Sequence, residues 1–311
     1  MRSPFIALGA ALLVSGVLAS AQRMPPAPPD LQGTWTSATL TPLERPAQFR
    51  DKVEFTPEEA AQYVRDRTDR VRRSLPSDAD RALQIDIDDT YVETEFITLE
   101  GLRTSLIVDP PNGMLPPLLP AAQARAAARP KRSYDDPESV NLAERCLIGN
   151  FNAGGSAASP PMLPSPVLAP FYQIVQTGTS VVIFAEWMHD ARIIRMNSSH
   201  QSPSIRSWLG DSIGRWDGGT LVVDTTNLRP EIHQFNSSEQ LHVVERFTRL
   251  DDNTLLYRVT LDDPQTWATS WTAEWRFRRA DVPVYGVECH EGNYAIEHFL
   301  RGARADEPRA K

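Results

Sequence analysis

From residue 171 onward, apolar and polar positions alternate with a period of two, in short runs cut by turn residues. The runs are "FYQIVQTG" (171–178), "SVVIFAEW" (180–187), "ARIIRM" (191–196), "GRWDGGTLVVDTT" (214–226), "LHVVERFTRLDDNTLLYRVTL" (241–261) and "WTAEWRFRR" (271–279). Period two is the side-chain repeat of a strand, so each run predicts strands with one buried face. Gly178, Gly218-Gly219 and Asp251-Asp252-Asn253 supply turn signals between them. The last run is the clearest. Trp271, Ala273, Trp275 and Phe277 share one face; Thr272, Glu274, Arg276 and Arg278 share the other.

The first half reads differently. A Pro-rich leader precedes "LQGTWTS", whose Gly33-x-Trp35 is the short signature of a first lipocalin-type strand. "FTPEEAAQYVRDRTDRVRR" (55–73) predicts a helix: Thr56 caps it, Pro57 suits its first position and Glu59 completes a capping box. "YVETEFITL" (91–99) and "RTSLIVD" (103–109) read as strands, and "AAQARAAAR" (121–129) as a short helix. Residues 149–170 have no periodicity and predict a long loop, over the surface or over a cavity mouth. Consecutive antiparallel strands with one apolar face must bury it, and a closed meander does so without long edges. The expected fold is therefore mainly β: a lipocalin-like antiparallel β-barrel with helical and loop insertions. A two-sheet β-sandwich is the alternative. A single domain over 31–300 would carry its insertions at about 50–80 and 110–170, followed by a polar tail at 301–311.

Composition narrows the class. The chain has 311 residues, 41% hydrophobic and 23% charged, as in an ordinary globular protein. Its formal net charge of −8 argues against nucleic-acid binding, which needs a basic face. Arg2 followed by the apolar run 5–19 and by Ala19-Ser20-Ala21 reads as a signal peptide over 1–21, with 22–30 as leader. An uncleaved anchor is the other reading of that segment. No later run is apolar enough to span a bilayer, so an exported protein, periplasmic or secreted, is expected. Cys146 and Cys289 are the only cysteines, without a C-x-x-C pattern, and predict a disulfide in an oxidising compartment.

A resemblance now emerges. "LQGTWTSATLTPLERPAQF" (31–49), "RTSLIVDPPNGMLPP" (103–117), "ERCL" (144–147), "HDARII" (189–194), "SIRSWLGDSIGRWDGGTLVVDTTNL" (204–228), "LHVVERFTRLDDNTLLY" (241–257) and "CHEGNY" (289–294) resemble a poorly characterised family of secreted bacterial proteins with lipocalin-like cores. This chain has "GRWDGG" and "DPPNG" where the family favours more acidic turns. The resemblance implies the fold and brings no established activity.

Three clusters could carry chemistry in a barrel cavity. If "EWMHDARII" is extended, Trp187, His189, Ala191 and Ile193 share a face, while Asp190 and Arg192 share the other and can pair. If the chain turns at His189-Asp190, all three polar groups could gather at the rim. Imidazole moves protons near neutral pH and a carboxylate can hold its tautomer; a hydrogen-bonded structural histidine beside an ion pair is the plainer reading. In "ECHEGNY", the disulfide would position His290 and Glu291, and Asn293 and Tyr294 could donate to a substrate oxygen; an ordinary exposed loop is the alternative. In "LHVVERF", His242, Val244 and Arg246 face one way and Val243, Glu245 and Phe247 the other. One face thus buries a charge that needs a partner.

No H-x-H, H-E-x-x-H or G-x-S-x-G pattern occurs, so neither a local metal site nor a serine hydrolase of the α/β type is expected. These readings predict a cofactor-free enzyme, a lyase or isomerase without metal, acting on a small hydrophobic or aromatic molecule. His189, Asp190, Arg192 and His290 would be catalytic; Trp187, His242, Arg246, Glu291, Asn293 and Tyr294 would bind substrate. The rivals are a periplasmic carrier of a hydrophobic ligand and an envelope protein with a packed barrel. The oligomeric state is not encoded in any of these patterns.

Overall fold

The hairpin in "VERFTRLDDNTLLYRVTL" forms the longest antiparallel ladder of the molecule, between β8 (His242–Asp251) and β9 (Thr254–Asp262). Its inward positions are Val243, Glu245 and Phe247 on β8 and Leu255, Tyr257, Val259 and Leu261 on β9, all fully buried. β10 (Trp271–Arg279) continues the layer with Tyr257 opposite Trp275 and Val259 opposite Ala273. The other strands are β1 (Gly33–Thr36), β2 (Ile107–Asp109), β3 (Phe171–Gln176), β4 (Ser180–Ala185), β5 (Ala191–Met196), β6 (Asp211–Asp217) and β7 (Thr220–Thr226). The computed structural model describes residues 28–74, 99–129, 136–149, 158–164, 171–232, 234–286, 289 and 294–305. The expected signal peptide, most of the strand expected at 91–99 and the residues His290, Glu291 and Asn293 lie outside them.

The strand order β1-β3-β4-β5-β6-β7-β8-β9-β10, with β1 paired back to β10, makes a closed nine-stranded barrel rather than a sandwich. Closure is short: Trp35 pairs with Arg279 and Thr36 with Arg278. β2 pairs with the other end of β10, at Thr272 and Ala273. One pairing departs from the expected meander. β5 and β6 are parallel, because residues 197–210 return the chain to the starting end before β6 begins. Gly214 allows this approach, since a Cβ there would lie 2.8 Å from Ile194 Cγ2 and Met196 Sδ.

The two barrel ends differ. One has tight turns at 177–179, 218–219 and 252–253. The other receives the connections 37–106, 149–170, 186–190, 227–241 and 263–270, and is where any opening would be guarded. The interior is aromatic: Trp35, Tyr172, Phe247, Tyr257, Trp271, Trp275 and Phe277 are inaccessible, and Tyr257 lies 4.7 Å from Trp275 and 5.0 Å from Phe247 between ring centres. Such ring pairs add to stability beyond the area they bury.

Among the described residues the α-helices are α1 (Pro57–Ser74), α2 (Pro120–Ala128) and α3 (Ala295–Ala305). The capping box of α1 is formed. Glu59 N–H donates to Thr56 Oγ1 at 3.3 Å, and Thr56 N–H to Glu59 Oε2 at 2.8 Å. Tyr63 on α1 packs against Phe49 and Phe55. No described helix is long and apolar enough to cross a membrane. Cys146 and Cys289 are bridged, their Cα atoms 5.4 Å apart, which ties the connection before β3 to the chain after β10.

Candidate functional site

The mouth of the barrel forms around the turn that joins β4 to β5. The chain reverses over residues 186–190, and Ala185 N–H donates to the Asp190 carbonyl. Met188 (φ 64°) and His189 (φ 53°) both take the left-handed conformation that side chains resist. Backbone held in this region concentrates at sites where geometry is imposed by its surroundings. Here those surroundings are Gly149 and Asp190. Gly149 N–H donates to Asp190 Oδ2 at 2.9 Å, and a Cβ on Gly149 would fall 2.4 Å from the Trp187 ring. The 146–149 strip and the 187–190 turn therefore fit face to face, beside the disulfide. Burial pushes the Asp190 carboxyl up to about 6, with the Gly149 hydrogen bond opposing. The His189 ring lies tilted at 43° to that of Phe184, their centres 5.1 Å apart. Trp187 keeps its ring N–H buried without an acceptor among the described residues.

Beneath the mouth lies a polar group that the sequence did not assemble. Arg192 points into the barrel and binds Glu245 through both terminal nitrogens, Nη1 to Oε2 at 2.7 Å and Nη2 to Oε1 at 2.9 Å. Both side chains are buried, with 1% and 0% of their surface exposed. Tyr257 O–H donates to Glu245 Oε1 at 2.8 Å and accepts from the Met162 N–H at 3.2 Å. Met162 also sets its sulfur 3.4 Å from Arg192 Nη2. Burial alone would lower the guanidinium, but the Glu245 carboxylate outweighs it and holds Arg192 firmly charged. Burial, and then the charge of Glu245, drive the Tyr257 phenol well above its usual range. The segment 158–164 that carries Met162 belongs to the long connection before β3, and its residues 158–163 are buried. It plugs the guarded end of the barrel.

These placements correct two expectations. Asp190 and Arg192 do not pair: the turn leaves Asp190 at the rim on Gly149, while Arg192 enters the interior. Ala191 and Ile193 do not join an apolar inner face. They are exposed, Ile193 at 60%, because Trp187 and His189 belong to the turn and do not continue the alternation of β5.

No family model matches the chain and no curated protein is similar to it. A crystal structure of an asparagine-to-alanine mutant of the fluorescent protein UnaG aligns with 36% of this chain and 72% of its own, at 14% identity and a TM-score of 0.24. The barrel assignment therefore rests on the strand pairing itself.

Three further described candidates, Arg246, Tyr294 and His242, lie on the outside. Arg246 pairs with Asp217 at 2.8 Å. Tyr294 is 65% exposed and contacts His298. His242 Nε2 lies 2.8 Å from Asp224 Oδ1, and that same oxygen lies 3.0 Å from His200 Nε2. His200 reaches Asp211 through its other nitrogen, and Arg195 joins the same carboxylate. This outer chain raises the His242 pKa, chiefly through the Asp224 hydrogen bond, and lowers that of Asp224. Its members hold the 197–210 return against β6, β7 and β8. Among the described residues no three His, Cys, Asp or Glu side chains are grouped as metal ligands.

Sequence reasoning missed Tyr257, Met162 and the Arg192–Glu245 partnership. A signal was present. Each charge sits alone on the apolar face of its own strand, and two such opposite charges in one barrel call for each other.

Proposed function

We propose that the protein is an exported binding barrel that takes a small, largely apolar molecule at its plugged end. The observation that carries this reading is the seat of Met162. A flexible thioether from a connecting segment, not from a strand, covers the Arg192–Glu245–Tyr257 group. Displacing the 158–164 segment would open an aromatic chamber floored by Arg192, Glu245 and Tyr257. Three buried donors in that interior, Arg192 Nε, Trp271 Nε1 and Trp275 Nε1, have no acceptor among the described residues and would suit a ligand oxygen. The resemblance to secreted, barrel-cored bacterial proteins supports export and the barrel core, and brings no activity of its own. The test is native mass spectrometry of the purified protein, together with a tryptophan-fluorescence titration by apolar fluorescent probes. Met162→Gly should tighten or accelerate probe uptake. A protein that carries no small molecule and takes up no apolar probe, in either form, removes the proposal.

A second reading, acid–base catalysis at the mouth, is favoured by one observation. Asp190 titrates at about 6 next to His189, in a turn of forced geometry. His290, next in sequence to the bridged Cys289, would be the complementary group. Turnover of a bound molecule that His189→Ala and Asp190→Asn both abolish, without loss of binding, would establish it; turnover untouched by both would end it.

A further inference from the structure

A cavity lies between α1 and residues 42–49. It has a volume of about 440 Å³, inside the ~300–1,000 Å³ range of small-molecule sites. Its apolar wall is Phe49, Tyr63, Pro42 and Pro46. The Phe49 and Tyr63 rings meet edge-on with centres 6.0 Å apart, and Phe55 backs both at 4.9 and 5.1 Å. The wall is thus a supported aromatic surface and not two loose side chains.

The polar rim decides the sign of the ligand. Glu59 is already occupied: Lys52 Nζ lies 2.5 Å from each of its oxygens, and that bond holds the carboxyl below its usual range. Asp66 accepts from the Gln62 amide at 2.7 Å. Arg67 is the third charge on the rim. It makes no ion pair among the described residues, and its Nε is buried without an acceptor. A guanidinium with a desolvated, unpaired N–H is the costly group here, and an incoming oxyanion is what relieves it. A cationic ligand would find Glu59 already paired with Lys52 and Arg67 opposing it.

We infer that this cavity binds a small aromatic carboxylate, its ring on Phe49 and Tyr63 and its carboxylate on Arg67. The site is independent of the barrel, and so of the function proposed for it.

The test is calorimetric titration of the full, disulfide-bonded chain with three probes of one shape: hydrocinnamate, hydrocinnamamide and phenylpropylamine. Hydrocinnamate should bind saturably, at least tenfold tighter than the other two. Arg67→Gln should weaken it about tenfold while far-UV circular dichroism stays unchanged, and Phe49→Leu should weaken all three probes. Amine binding equal to or tighter than carboxylate binding overturns the inference, as does the absence of hydrocinnamate binding at millimolar concentration. Binding that survives Arg67→Gln and is displaced by an apolar barrel probe overturns it too. The probe series uses the unmodified chain, so the outcome does not hang on any variant folding.

Discussion

Removing Glu245 should be among the most damaging single changes in the molecule. In Glu245→Leu the volume stays filled, but Arg192, 1% exposed, loses both acceptors of its terminal nitrogens. Arginine cannot shed its proton, so the charge remains buried. Breaking such a pair from one side costs about 3–5 kcal/mol, most of it the stranded charge. The Tyr257 hydroxyl also loses its acceptor, which adds about 1 kcal/mol. Arg192→Met should cost less, about 3 kcal/mol, because Tyr257 still donates to the remaining carboxyl. The double variant should return to within about 1–2 kcal/mol of the parent, since a well-packed apolar pair replaces buried charges at little net cost. The assay is urea unfolding at neutral pH with the disulfide intact, followed by tryptophan fluorescence and run as a double-mutant cycle. The coupling between the two positions should exceed about 3 kcal/mol. Single costs below about 1 kcal/mol each, or a double variant as unstable as the two singles combined, would show that the pair is not buried as described.

Four further outcomes follow from other contacts. Asp190 is raised to about 6, so its contribution is present below the unfolded value near 4 and is lost as pH rises through about 6; Asp190→Asn should flatten that pH dependence and gain up to roughly 3 kcal/mol at pH 7–8, read from urea midpoints. His242 is raised by Asp224, and Asp224 is lowered in return. Their mutual stabilisation should fade both as pH rises through the His242 value and as it falls through that of Asp224, and Asp224→Asn should lower the histidine midpoint seen by NMR. Replacing Cys146 and Cys289 with serine opens a crosslink with a sequence separation of 143, which the chain-entropy relation equates to about 5 kcal/mol in a denaturant midpoint. Gly149→Ala puts a methyl 2.4 Å from the Trp187 ring, and should destabilise by about 1–3 kcal/mol in a thermal melt and disturb the turn at His189.

The barrel wall was largely legible. Period-two alternation located β5 and β10 to the residue, and Gly218-Gly219 and Asp251-Asp252-Asn253 marked the turns from β6 to β7 and from β8 to β9. The capping residues placed the start of α1. Strand direction was not legible. Alternation is the same in parallel and antiparallel pairs, so nothing in residues 191–217 announced that β5 and β6 run together. Of the two readings of residues 185–194, the chain takes the turn at His189-Asp190, and the extended one fails for a local reason. Two left-handed residues, Met188 and His189, end the strand pattern of β4, and a phase counted through them is carried across a turn. "RTSLIVD" shortened to three strand residues, because most of it pairs with the 42–55 segment and not with the sheet. The interior site was half legible. Glu245 on an apolar face called for a partner, but the partner is another strand's arginine, and no spacing rule links the two.

The seam between β1 and β10 also bears on how the molecule comes into being. The barrel is shut by two residue pairs whose members sit near opposite ends of the chain, with β2 covering the rest of that edge of β10. Contacts so distant in sequence impose a large loop-closure cost before they return any energy. A chain made from its amino end must therefore hold Trp35, with its buried ring, without its final neighbours until almost everything else has emerged. The first strand to be synthesised is the last whose surroundings are complete.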